Sequence, residues 1–195
     1  MYKIITPVAT EPVSRQEAKL HCRVIADVAD VTAHPEDASF DAWIIAAREF
    51  SEHYTGRAFA TQTLEMGLPC FPEVSDEAID LDLPPVATIT SVKYTDGAGV
   101  EQTIPGSSYA LSTYGDSRRL APTYSIYWPS TQGVPDAVRI RYVTGYATLP
   151  QAARAALLLL VGHLYENRQD VSALSLHEIP VGARSLLDTI KIWSK

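Results

Sequence analysis

The chain has 195 residues, 46% of them hydrophobic and 20% charged, with a formal net charge of −7. That is enough apolar material for one sizeable domain, or one domain with a large insertion. The acidic balance excludes a general nucleic-acid clamp, whose basic face would displace counterions from phosphates, but not a surface past which nucleic acid slides.

The opening "MYKIITPVATEP" has no long apolar run after a basic start, so no signal peptide is expected. Ser14 and Glu17 form an S-x-x-E capping box that predicts a first helix, with Ala18, Leu20 and Val24 as a modest apolar stripe. Cys22 follows, far from Cys70 and in no CxxC pair. Two lone thiols are expected, with a disulfide between them left open. "HPEDASFDAWIIAAREFSEHYTGR" predicts a second helix, with Pro35 in its first turn and Gly56 just past its end. Phe40, Ile44, Ala47 and Tyr54 fall on one stripe, widened by Trp43 and Phe50.

From about residue 60 to 145 the pattern becomes strands and turns. "AIDLDL" alternates, so Ile79, Leu81 and Leu83 should share a face while Asp80 and Asp82 meet water. "ATITSVKYT", the turn "DGAG" and "VEQTI" predict a hairpin. "SYALST" and "AVRIRYV" would complete a small antiparallel sheet, with Val138, Ile140 and Tyr142 alternating with Arg139, Arg141 and Val143. "PTYSIYWPSTQGVP" reads as a loop. A third helix is predicted from Pro150 to about Arg168. Its apolar positions cover more than one stripe, as in a helix contacted on several sides. Arg154 and His163 interrupt it well short of the roughly 18 apolar residues of a membrane span. After "QDVSALSLHEIP", a loop, residues 181–193 predict a short last helix with Leu186, Leu187, Ile190 and Trp193 at helical spacing.

Motifs for catalysis do not emerge. Glu49/His53 and His163/Glu166 have helical spacing for a shared metal, but no second copy exists, and hydrogen-bonded or solvated helix pairs are the expected reading. There is no G-x-S-x-G elbow, Walker loop, dinucleotide fingerprint or HExxH. Arg118, Arg119, Arg139 and Arg141 are expected to line a solvated strand face or to bridge acids on a neighbouring subunit rather than to hold phosphates. What remains is a set of aromatic and arginine side chains of the kind enriched at protein interfaces. For the helical members a core role is expected first. For Tyr124, Tyr127 and Trp128, in a proline-bounded loop, an interface comes first.

Four blocks in order, "EPVSRQEAKLHCRV", "FDAWIIAAREFSEHYTGRAFATQTLEM", "LPPVATITSVKYTDGAGVEQTI" and "AVRIRYVTGYATLPQAARAALLLLVGHLYENRQ", resemble the head–tail connector (adaptor) family of tailed phages. The likeness is to its longer form, which carries a β insertion and occurs also in gene transfer agents. It runs roughly from Thr6 to Trp193, and "YTGR" and "HLYENR" are its more specific words. The resemblance implies an α+β, mainly helical connector fold: an N-terminal helical part (1–59), an inserted β subdomain (60–145), then a central helix and C-terminal arm (146–195). It implies a non-enzymatic protein without catalytic residues, cofactor or metal, acting at the particle neck after assembly in the host cytoplasm. Its partners would be the portal protein, further copies of itself in a twelve-fold ring, a stopper or tail-side neck protein, and double-stranded DNA passing through without sequence-specific binding. No membrane is involved. Closure of such a ring needs two different complementary patches per subunit. Tyr54, Arg57, Tyr165 and Arg168 at the helix ends are candidates, with Tyr124, Tyr127 and Trp128. The portal-binding arm would carry Ile179, Leu186, Leu187, Ile190 and Trp193. The competing expectations are another neck ring component, a stopper or tail-completion protein, and a small hydrolase with a site on the β insertion.

Overall fold

The computed structural model describes residues 2–74, 77–112, 114–115, 118–167 and 180–193. Both thiols, Cys22 and Cys70, are free. The chain forms two compact units, each assembled from two separate stretches: Met1–Ala9 with Ala60–Ala147, and Thr10–Phe59 with Thr148–Lys195.

The second of these is helical. Its first helix, α1 (Arg15–His21), starts where the capping box predicts: the Ser14 hydroxyl accepts from the Glu17 amide, and the Glu17 carboxylate accepts from the Ser14 amide. Partial burial is the largest single influence on the Glu17 carboxyl and pushes its pKa up. The hydrogen bonds from Ser14 and the contact with Arg154 outweigh it and leave the carboxyl below its ordinary value. Helix α2 (Asp37–Thr55) begins two residues later than Pro35 suggests. The Asp37 amide bonds to the His34 carbonyl and the Asp37 carboxylate accepts from the His34 amide, so a turn precedes the helix. Gly56 ends α2 at φ 71°, donating to the Glu52 carbonyl. Lys19, almost completely buried, pairs with Asp37, and Arg15 Nε donates to Asp41 at 2.7 Å, fixing α1 to α2.

Helix α3 (Gln151–Glu166) touches α1, α2 and α4 (Val181–Asp188), which is the central role its broad apolar surface predicts. Ala153, Ala156, Leu157 and Val161 are buried on it, as are Phe40, Ile44 and Ala47 of α2 and Ala183 and Leu187 of α4 in the same unit. Small residues at these positions permit close helix approach. Among the described residues no helix is long and apolar enough to cross a membrane.

The other unit is all strand and loop. A five-stranded antiparallel sheet has the order β1 (Tyr2–Thr6), β2 (Gln62–Leu68), β8 (Val138–Thr144), β4 (Val86–Thr95), β5 (Glu101–Ile104). A three-stranded sheet has the order β3 (Ile79–Asp80), β7 (Arg119–Pro122), β6 (Tyr109–Leu111). One apolar cluster draws on both: Leu64, Met66, Val92, Val138, Ile140 and Tyr142 from the larger sheet, Ile79 and Leu120 from the smaller. The hairpin β4–β5 is as expected, its turn held by Asp96 Oδ1 accepting from the Ala98 and Val100 amides. The Tyr142 phenol, pushed up by burial, donates to the Asp82 carbonyl at 2.9 Å.

Two expectations need correction. The described strands hold nearly as many residues as the helices, so the fold is mixed α+β rather than mainly helical. The difference comes largely from β1, β2 and β7, which pair through non-local register with no turn signal to announce them. Residues 2–6, grouped with the N-terminal helices in the expected division, pair with β2 instead.

Two substitutions test the folding constraints. Gly145 has φ 115°, and a Cβ there would lie 2.3 Å from the Ala60 carbonyl oxygen. Gly145→Ala should therefore cost about 2 kcal/mol, read from the denaturation midpoint. In the helical unit, Glu52 Oε2 accepts from Arg48 at 2.8 Å, and Arg48 also donates to Glu11 at 2.8 Å. Glu52→Ala leaves Arg48 short of a partner in a buried setting and should cost about 3 kcal/mol in urea unfolding.

Candidate interaction surfaces

The last turn of α2 and the residues after it are densely partnered. The Tyr54 hydroxyl donates to Asp188 Oδ1 at 2.6 Å and accepts from Arg184 Nε at 3.2 Å. Arg57 donates to the Ile190 carbonyl, and the Ile192 amide donates to the Thr55 carbonyl at 3.0 Å. Lys191 Nζ sits 4.0 Å from the centre of the Tyr54 ring and 5.1 Å from that of Trp193. Phe50 stacks on Tyr54 with ring centroids 6.0 Å apart. "YTGR" thus acts first as a dock for the chain's own C-terminal segment.

That segment departs from the single helix predicted to Trp193. Helix α4 stops at Asp188, where Thr189 Oγ1 turns back onto the Leu186 carbonyl at 2.6 Å, and the following residues hook under α2. Of the arm candidates, Leu187 is fully buried, Leu186 and Ile190 are half-buried, and Trp193 is 73% exposed. Leu187 thus belongs to the helical core. Ile179 and Arg168 lie outside the described residues.

Tyr165 joins Phe40 and Trp43 in an aromatic cluster, stacked at 5.5 Å on the first and edge-on at 5.9 Å to the second. Phe40 is buried, while Trp43 and Tyr165 are half-buried beside it. The β-unit loop divides. Tyr124 is 98% exposed and Tyr127 64%, as an interface loop would have them. Trp128, grouped with them in the sequence, is instead buried: it stacks on Phe71 with centroids 4.9 Å apart and donates to the Glu77 carbonyl at 2.8 Å. Its neighbours come from residues more than fifty positions away, which a local reading of "IYWP" does not contain.

The arginine cluster is engaged within its own sheets. Arg118 and Arg119 reach Asp80, Arg139 pairs with Glu101, and Arg141 donates to Glu65 at 2.7 and 3.0 Å. His163 bonds to Asn167. Among the described residues no three His, Cys, Asp or Glu side chains converge as a metal site requires.

If Tyr54 holds the C-terminal segment, Tyr54→Phe should speed hydrogen exchange at the Ile192 amide about fivefold, one hydrogen bond's worth. The amides of α1 should be unaffected.

No protein-family model and no curated protein matches the sequence. Solved structures share its fold along the whole chain, three of which follow. A chain from the neck of an empty gene transfer agent (GTA) particle computed with C6 symmetry is 25% identical, with TM-score 0.77, covering 100% of this chain and 97% of the other. A chain from the virion of a native GTA particle is 24% identical with TM-score 0.78, at the same coverage. A chain from the neck of a native GTA particle computed with C12 symmetry is 21% identical with TM-score 0.71, again covering 100% and 97%. At the identities of the latter two the likeness establishes a shared fold: this chain has the mixed α+β architecture found in chains of gene transfer agent particles.

Proposed function

We propose that the chain is a structural component of the neck of a gene transfer agent or tailed-phage particle, and within the neck the head–tail connector (adaptor). It forms a ring beneath the portal, extends the DNA channel and joins the DNA-filled head to the tail. The observation that carries this reading is the full-length match to a chain of a GTA neck, 25% identical with almost every residue of both chains covered. The six-fold and twelve-fold symmetries of the neck structures fit a ring of identical subunits. The role is mechanical and needs no cofactor. Tyr124 and Tyr127, exposed on the β unit, and Trp193, exposed on the helical unit, are the side chains best placed to meet other proteins. In this reading Leu186, Leu187 and Ile190 seat the arm, and Trp193 is the part that engages the portal.

Native mass spectrometry of the purified chain with its cognate portal ring tests the assignment. One copy per portal subunit, up to twelve as C12 symmetry implies, is the expected result. An intact portal that binds nothing, with the chain captured by tail-side proteins instead, would move the assignment to a stopper or tail-completion protein. Turnover of ester or glycoside substrates would revive the hydrolase.

A further inference from the structure

The larger sheet ends in two terminal strands, β1 and β5. Every pairing between them is antiparallel, and with five strands in the sheet the two terminal strands run in the same direction. Their side chains divide alike. Ile4 lies opposite fully buried Leu64, and Ile104 opposite fully buried Val92, so both belong to the core side. Lys3 lies opposite Glu65, and Glu101 reaches Lys93 and Arg139, so both belong to the charged face. Each terminal strand carries one charged residue, and the two are of opposite sign. On the core side Ile4 is 52% exposed: the apolar face continues onto β1 beyond what the chain itself covers.

Terminal strands present backbone donors and acceptors that invite another strand, and a charged residue there discourages indiscriminate pairing. Lys3 does this selectively. In parallel, in-register pairing, β1 with a second β1 would set lysine against lysine and β5 with β5 glutamate against glutamate, and a two-fold β1–β1 contact centred on Lys3 does the same. Pairing of β1 with β5 sets lysine near glutamate and isoleucine beside isoleucine.

We propose that copies of this chain join sheet edge to sheet edge, β1 of one beside β5 of the next, in parallel, with Ile4 alongside Ile104 and Lys3 alongside Thr103. Glu101 of the neighbouring copy then lies one diagonal step from Lys3, within reach of a long side chain. The proposal rests on the ring reading above and supplies its two complementary patches. Rotation about an axis along the strands preserves strand direction, so two terminal strands running the same way can repeat around a ring, whereas a two-fold β1–β1 contact stops at a dimer.

Cross-linking tests this. In a Cys22→Ser, Cys70→Ser background, Lys3→Cys combined with Thr103→Cys places two thiols on neighbouring parallel strands, about 4.8 Å apart at Cα and inside disulfide range. Rings assembled on portal and mildly oxidised should give a ladder of chain multiples on a non-reducing gel, and each single variant only monomer. Dimers from Lys3→Cys alone would overturn the proposal in favour of two-fold pairing. Rings that are intact by native mass spectrometry yet fail to cross-link would overturn it while leaving the ring reading standing. If the unaltered chain forms no ring, both fall together. Ile4→Lys gives an independent check: the residue lies outside the closed core, so the variant should melt normally yet lose ring assembly, and normal assembly by the folded variant would overturn the proposal.

Discussion

The carboxylate of Glu52 organises the helical unit. One oxygen accepts from Arg48, which in turn reaches Glu11 ahead of α1, and the other accepts from the Phe59 amide at 2.6 Å. A charge with a side chain only 9% exposed is tolerable only if its lone pairs are met. Meeting them fixes three things together: the approach to α1, the last turns of α2, and the bend by which the chain leaves Gly56. Tyr54 and Arg57 lie on that same bend. The surface that receives the C-terminal segment is thus set by a buried ion pair a few residues away, and the aromatic group of Phe50, Tyr54, Lys191 and Trp193 inherits its geometry.

What the sequence made legible was local. The capping box of Ser14 and Glu17, the left-handed Gly56, the turn at Asp96 and the alternation of Val138, Ile140 and Tyr142 each depend on residues within a few positions, and each appears as read. What escaped was built across distance. Glu11 and Arg48 are 37 residues apart, and Trp128 finds its cap at Glu77. Arg48 and Glu52 at helical spacing were a signal available in advance, though nothing nearby marked the pair as buried. Among the described candidate contact residues, Tyr54, Arg57 and Tyr165 have partners within their own unit, because a tyrosine or arginine at a helix end finds backbone carbonyls and neighbouring rings close by. Tyr124 and Tyr127 stay outward, while Trp128 turns in to stack on Phe71 and to reach the Glu77 carbonyl.

The charged face of the larger sheet follows the same economy. Its arginines meet acids on other strands of the same sheet: Arg141 pairs with Glu65 on the adjacent β2, and Arg139 reaches past β4 to Glu101 on β5, which Lys93 shares. Such pairs contribute little to stability in water. The basic side chains outnumber the acids on this face, Lys3, Lys93, Arg139 and Arg141 against Glu65 and Glu101, so the pairing leaves a positive excess.

Each unit draws on two stretches of chain, and this gives synthesis an order. By the time residue 147 has been made, both sheets have all their strands and can close around Tyr142. At that point α2 still lacks α3 and α4, and Phe40, Ile44 and Ala47 have no apolar neighbours from them to lie against. The nascent chain must therefore carry an amphipathic helix with a bare face while its β unit is already folded, an interval in which chaperones or self-association can intervene. Helix α3 supplies most of those neighbours, and α4 with the hook beneath Tyr54 follows it.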